Sequence, residues 1–380
     1  MQPLLLLNTI KSKFSPHVMA WASGRINLLG EHIDYNQGYV LPASIQYKTV
    51  AGIQPSQENF TFYSFEQNKN VFVNDTSKLS GPDAWINYLL GVIEAFKKQG
   101  CTIPPFTCAI TGSVPVGAGL SSSAAFTCSF ALALNQWLGL SFSFQQLAKF
   151  AQWAEQNYAG VNCGLMDQFA SLLGKANTVL QMDCVTESVV HVPMQFGNEV
   201  LFLLDTGIKH ELGSSAYNDR RSTCEQGLAI MKKSFPDINS FRDADINTLK
   251  VITEKKMYDR CLYVIQEIER TQLATTLIKA GSFKDVGRLM FATHKGLSEL
   301  YEVSCRETDF VVSELQQQEG VLGARMMGAG FGGCILVLAK AHALQGIVEK
   351  IQRKYKTEFS TDLQYRPVSV EDASGYINIT

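Results

Sequence analysis

The chain contains no hydrophobic run approaching the roughly 18 apolar residues that a membrane-spanning helix needs. The four leucines of MQPLLLLNTIKSKF follow no basic residue and are too few for the core of a signal peptide. A cytoplasmic protein without a membrane partner is therefore expected. An excess of charge is also missing. Thirty-three Lys and Arg against 35 Asp and Glu leave a net charge of −2, which offers no bulk attraction to nucleic acid. Basic runs stop at pairs such as Lys97–Lys98 and Lys255–Lys256, which read as solvated helix faces. Metal-ligand spacing is absent too. The nine cysteines include no C-x-x-C pair and the six histidines no H-x-x-x-H, so neither a zinc centre nor a disulfide frame is expected. The cysteines read as small buried hydrophobes. No G-K-[ST], H-R-D or D-F-G occurs where a Walker A loop or a protein kinase would carry it.

What remains is an ordinary globular composition, with 46% hydrophobic and 18% charged residues over 380 positions. That length suits about two domains of roughly 100–200 residues and a sizeable core. Strand and helix patterns alternate, without repeats or a low-complexity linker, which favours a mixed α and β architecture. Val40–Ile53, Phe106–Ile110, Val179–Met182, Val200–Leu204 and Cys334–Leu338 read as strands. Helices are expected after Ser121, over about Phe144–Tyr158 and near Ala343–Tyr355. Residues 214–318 are mostly helical by pattern. The change of character near residues 185–215 marks the candidate domain boundary.

Five segments concentrate the chemistry. GRINLLGEHIDYNQG packs Arg25, Glu31, His32 and Asp34 between Gly24 and Gly38. PVGAGLSSSAA sets Gly117 and Gly119 ahead of Ser121, Ser122 and Ser123 and then a helix. A glycine loop that feeds a helix N-terminus presents free amides and a positive dipole end to phosphate; a plain serine-capped turn is the simpler alternative. MMGAGFGGCILVL matches G-x-G-x-x-G formally, but a strand pattern follows it where a dinucleotide fingerprint needs a helix. It reads as a tight turn that brings backbone close to a ligand or to another loop. The second helix and the glycine-led segment after it carry two carboxylates. Glu155 lies at the edge of the apolar stripe Leu147, Phe150, Ala151, Ala154, Tyr158, where an unpaired charge is costly; a bound cation or an Arg or Lys would partner it. Asp167, in NCGLMDQFASLLGK, reads as a helix cap or as a base aimed into a cleft.

Taken together these segments resemble the galactokinases of the GHMP small-molecule kinase superfamily. The first is similar to the galactokinase signature, the second to the superfamily's ATP loop, and MMGAGFGGC to its third motif. CGLMDQFASLLGK, LQMDC, SSAYNDRRSTCEQ and YEVSCRETD fit in order and spacing. The resemblance runs from about Trp21 to Leu338. It implies an α+β, two-domain GHMP kinase fold with the active site in the interdomain cleft. On that footing residues 1–185 form the nucleotide- and sugar-binding domain and 186–380 the C-terminal domain, whose last residues fold back on the first. It also implies roles, position by position. Asp167 and Arg25 match the catalytic pair. Glu31, His32, Asp34, Gly164, Asp183 and Tyr217 match sugar contacts. Gly117, Ala118, Gly119, Leu120, Ser121, Ser122 and Ser123 match the ATP loop, and Trp85 an aromatic beside adenine, with core packing as its alternative. Ser123 and Glu155 match magnesium ligands. The implied substrates are galactose and MgATP, in a monomer.

The sequence departs from the family pattern in three places. Ile33 stands where threonine is common and bears on sugar preference. Ala329 replaces a common glycine. LLDTGIKHELGSS is a variant segment whose basic character rests on Lys209 and His210. A kinase for N-acetylgalactosamine or arabinose, and a non-catalytic galactose and ATP sensor, are the rival readings. The retained Arg25, Asp167, Ser123 and Glu155 weigh against the sensor.

Overall fold

The computed structural model describes residues 2–208 and 213–378. Lys209 and His210 lie outside the described residues. Among the described residues thirteen strands occur, in the order β1 (Val18–Asn27), β2 (Tyr39–Val40), β3 (Pro42–Pro55), β4 (Phe60–Ser64), β5 (Lys69–Val73), β6 (Phe106–Gly112), β7 (Thr178–Asp183), β8 (Val189–Pro193), β9 (Glu199–Asp205), β10 (Val321–Met326), β11 (Cys334–Lys340), β12 (Gln364–Pro367) and β13 (Ser374–Tyr376). They form a six-stranded sheet β13-β1-β3-β6-β4-β5, a four-stranded sheet β10-β11-β9-β12 and a three-stranded sheet β2-β7-β8. All neighbours are antiparallel except β4 and β6.

The first sheet is covered by the helix Ser122–Trp137, which lies across β1 and β3. This helix is apolar on every side and buried from Ala124 to Asn135 almost without interruption, as a helix must be when it runs through the middle of a core. The helices Asn87–Lys98 and Phe144–Ala154 pack beside it. The second sheet packs against the helix Phe283–Glu299 and, through Phe202, Leu204, Ile335 and Val337, against Ile351 and Tyr355 of the helix Leu344–Phe359. A third apolar cluster joins Ile26, Leu41 and Leu120 to Leu203, Met327 and Leu336. It ties the two halves together beneath the cleft. Residues 213–316 are largely helical, with long helices at Gly213–Ser234, Lys255–Lys279, Phe283–Glu299 and Arg306–Gln316.

The chain crosses between the halves more than once. The division expected at residue 185 falls in the turn between β7 and β8, two strands of one sheet. The C-terminal stretch lays β12 on β9 and then β13 on β1, so it contributes an edge to both large sheets. Lys48, nearly fully buried, stacks over Trp21 at 4.5 Å and donates to the Asp372 carbonyl, which pins this strap.

β1 sets up the site. Its pairing with β3 shifts register between Ser23 and Arg25. A Cβ at Gly24 would stand 2.8 Å from the Leu120 carbonyl oxygen, so glycine is what allows the serine-rich loop to dock on this bulge. The Arg25 amide then donates to that same carbonyl at 3.1 Å. All nine cysteines are free, and five of them are buried.

Candidate active site

Arg25 enters the cleft from the bulge of β1 and is almost fully buried. Its Nε donates to Asp167 Oδ1 at 2.8 Å and its Nη2 to Oδ2 at 2.9 Å, a bidentate fork. Its Nη1 donates to the Gly119 carbonyl. Burial works against the guanidinium charge, but Asp167, Glu31 and Asp34 around it more than offset this and the pKa rises. Asp167 is the second residue of the helix Met166–Leu173, at the end of a helix that favours a carboxylate. Ser121 donates to its Oδ2 at 2.5 Å. Ser121 takes a left-handed conformation, φ 57°, at the entry to the helix Ser122–Trp137. The first amides of that helix have no intrahelical acceptor and open toward the same cavity. The serine loop and the carboxylate are thus one hydrogen-bonded unit.

Glu155 ends the helix Phe144–Ala154 where a π-turn, Glu155–Ala159, begins; such turns recur at functional sites. Burial pushes its carboxyl up to about 7, against hydrogen bonds from Gln168, whose Nε2 donates at 2.6 Å, and from Ser123. Among the described residues no Lys or Arg pairs with it, and no cluster of three His, Cys, Asp or Glu surrounds it. A buried carboxylate beside a serine hydroxyl is an oxygen-only donor pair. It suits a hard divalent cation that completes its shell with phosphate and water.

The segment 30–38 forms another wall. His32 Nδ1 shares a hydrogen with the Tyr35 hydroxyl at 2.7 Å, which in turn meets the Tyr301 hydroxyl at 3.0 Å. His32 Nε2 is buried with no partner among the described residues. Burial lowers the His32 pKa to about 3, so the ring is neutral. Tyr217 stacks at 5.4 Å from the His32 ring. Asp34 packs directly on Gly164. Burial and then the Asp167 charge push its carboxyl up to about 7. A folded-state value above the ordinary aspartate value of 3.8 means folding favours protonated Asp34. That stabilisation is complete below about pH 4 and is lost as pH rises through 7. Water reaches the cavity, so the loss is about 1–2 kcal/mol. Relative to Asp34→Asn, the wild-type protein is expected to lose that much stability between pH 5 and 8 in denaturant titrations. The contribution of His32 is common to both and cancels. A pH-independent difference would contradict the assignment.

A cavity of about 410 Å³ unites these groups: Arg25, Glu31, His32, Asp34, Gly117, Gly119, Leu120, Ser121–Ser123, Glu155, Gly164, Asp167 and Tyr217 all line it, together with 327–333 from the β10–β11 turn. Val161, Cys163, Met166 and Ile208 also line it; Cys163 and Met166 lie within CGLMDQFASLLGK and Ile208 within LLDTGIKHELGSS, but as apolar or thiol side chains they give no chemical signal of their own. Three expected site residues do not line it. Ala118 is buried behind the loop. Trp85 packs edge-on against Phe126 at 6.1 Å, the core alternative, and its indole N–H has no acceptor among the described residues. Asp183, expected on the sugar, is instead bound to Arg242. Glu31 lines the cavity, but Arg325 Nη2 at 2.6 Å, the Asn27 side-chain amide and the Gly328 amide all donate to its carboxylate. It cross-links the charged segment to the glycine turn. Ile33 is fully buried against Gly38 and away from the cavity, so its difference from threonine is a packing matter and not a sugar contact.

Comparison with known proteins agrees with this geometry. Residues 9–55 match the galactokinase galactose-binding signature. Residues 87–175 match the GHMP kinases N terminal domain, and 274–357 the GHMP kinases C terminal model. The galactokinase of Thermotoga maritima is 39% identical over 352 residues, 92% of this chain and 97% of that protein. The chain belongs to the galactokinase family. The Staphylococcus carnosus galactokinase is 33% identical over 98% of this chain and the whole of that one. The crystal structure of Lactococcus lactis galactokinase complexed with galactose superimposes with a TM-score of 0.92 at 28% identity, covering 99% of this chain and all of that one. The two GHMP kinase regions bracket residues 176–273, which neither matches and which contain Tyr217 and Arg242.

Proposed function

We infer that the protein transfers the γ-phosphoryl group of ATP to the anomeric hydroxyl of D-galactose, yielding galactose 1-phosphate and ADP. The observation that carries this reading is the Arg25–Asp167–Ser121 unit, which joins the phosphate loop to a carboxylate in the cavity walled by segment 30–38. In the transfer, the sugar O1 forms a bond to the γ-phosphorus and the bond from that phosphorus to the bridging oxygen of ADP breaks. Asp167 orients the hydroxyl and takes its proton. Arg25 fixes that carboxylate and lies where charge develops on the transferring group. The amides of Gly117–Ser123 and the start of the following helix hold the phosphates. Neutral His32, Asp34 and Tyr217 offer the hydrogen-bonding groups that read hydroxyl stereochemistry, a kind of contact that discriminates strongly against a missing partner.

Ser123 and Glu155 would hold magnesium. Bound with the nucleotide, that ion neutralises charge on the β- and γ-phosphates. Glu155→Gln keeps the shape and the Gln168 neighbour but removes the charge. It is expected to raise the magnesium concentration for half-maximal rate on the order of tenfold; an unchanged magnesium titration would remove Glu155 from this role.

Coupled ADP release over a panel of hexoses and pentoses tests the whole reading. Galactose-dependent turnover that Asp167→Ala abolishes is the expected result. Turnover independent of galactose, or sugar and ATP binding with no turnover, would overturn it.

A further inference from the structure

Segment 30–38 is bent in a way its residues do not favour. His32 and Gln37 both have φ of 61° and Gly30 has 99°. Non-glycine residues avoid this region, and it persists where the surroundings over-determine it. The front of the segment is held by Glu267, which accepts from the Gly30 amide at 2.8 Å, and by the Glu31–Arg325 pair. The back of it is held by the Cys184 amide, which donates to the Gly38 carbonyl at 3.1 Å, and by the side chain of Arg242, from the single helical turn Phe241–Asp243. All five of its N–H groups are directed. Nε donates to the Gln37 carbonyl and Nη2 to the Gly38 carbonyl at 2.9 Å. Nη1 donates to the Tyr39 hydroxyl at 3.1 Å. Nη1 and Nη2 each donate to an oxygen of Asp183. The guanidinium also stacks 3.9 Å above the Tyr39 ring. Asp183 is itself fixed by the Val185 amide at 2.8 Å.

We propose that Arg242 is a positioning residue for sugar binding, a latch that locks Gln37 and Gly38 against Asp183 and so fixes where His32 and Asp34 stand in the cavity. The inference rests on the galactokinase reading and adds a residue to it. Arg242 does not line the cavity, and none of its hydrogen bonds reaches the phosphate loop. Its loss therefore acts on one substrate. A lysine cannot replace it, because a single ammonium has neither the planar fork nor the five donors that meet two backbone carbonyls and a carboxylate at once. Asp183, which does not line the cavity, acts through Arg242.

Steady-state kinetics of Arg242→Lys, Arg242→Ala, Asp183→Asn and Arg242→Lys/Asp183→Asn, each with a thermal melt, test this. The galactose KM is expected to rise about tenfold or more, since a displacement near 1 Å at a binding wall costs that much. The ATP KM is expected to stay within about twofold and kcat within about threefold. The double variant is expected to be no worse than the worse single one, as for residues that act through one contact. If Arg242→Ala fails to fold, Arg242→Lys and Asp183→Asn decide. An unchanged galactose KM in those folded variants, or KM values for both substrates rising together, overturns the proposal. A wild-type enzyme that ignores galactose in the same assay overturns the galactokinase reading, and the proposal with it.

Discussion

Asp167→Asn is expected to lower kcat about 10³-fold or more while the galactose KM changes only a few-fold, the range lost when a positioned proton acceptor is removed. Asparagine keeps the size of the side chain and its place in the first turn of Met166–Leu173. It retains one oxygen for Arg25 Nε or for the Ser121 hydroxyl, but its NH₂ opposes the guanidinium that now makes a bidentate pair. It also cannot take the proton from the anomeric hydroxyl. The expected signature is therefore a loss in kcat and in kcat/KM together, with binding retained. Stability is expected to fall by about 2 kcal/mol, less than for an isolated buried pair, because Glu31 and Asp34 still balance the Arg25 charge. A variant with near-wild-type kcat would remove Asp167 from the chemistry. A variant that loses galactose binding outright would recast it as a structural anchor.

The second large effect concerns the contact between the two glycine motifs. The serine loop and the β10–β11 turn touch backbone to backbone. A Cβ on Gly328, φ +85°, would stand 2.9 Å from Gly119 Cα, and one on Gly119, φ +74°, would stand 2.8 Å from the Met327 carbonyl oxygen. Neither obstacle is a flexible side chain. Gly328→Val must therefore push the turn away from the phosphate loop, and it also adds the left-handed strain of about 1–2 kcal/mol that an L residue carries there. The Gly328 amide that donates to Glu31 moves with it. The expected result is a fall in kcat/KM for ATP of more than about 100-fold, with a smaller change in galactose affinity measured by calorimetry. Wild-type kinetics in a folded Gly328→Val protein would mean that closure of this turn on the loop is not needed.

The motif-bearing loops were legible because each carries its conformation in a few adjacent residues. The serine loop before Ser122–Trp137, the turn before β11 and the strand character of β3, β6, β7 and β9 follow from local pattern. So does the helical run from residue 213 onward. Glu155 was legible as a carboxylate in need of a partner, and the structure leaves it without a basic one among the described residues. What local pattern does not hold is the identity of distant partners. Glu31 reads as a sugar ligand in its motif, yet it is bonded to Arg325 and Gly328, almost 300 residues later. Asp183 reads the same way, and Arg242 claims it from a segment that carries no motif. Ile33 lies within a polar signature and turns inward, because the left-handed turn at His32 sends alternate side chains to core and cavity. The edge strands β12 and β13 are short, and their pairing with β9 and β1 depends on register across the whole chain.

The most direct test of the account is the identity of the product. The wild-type protein, galactose and MgATP should be incubated to completion and the sugar product examined by phosphorus-coupled proton NMR. The account predicts stoichiometric ADP and a phosphate coupled to the anomeric proton, with no such signal from Asp167→Ala. A phosphate on any other carbon, or ADP formed without sugar phosphate, would contradict it.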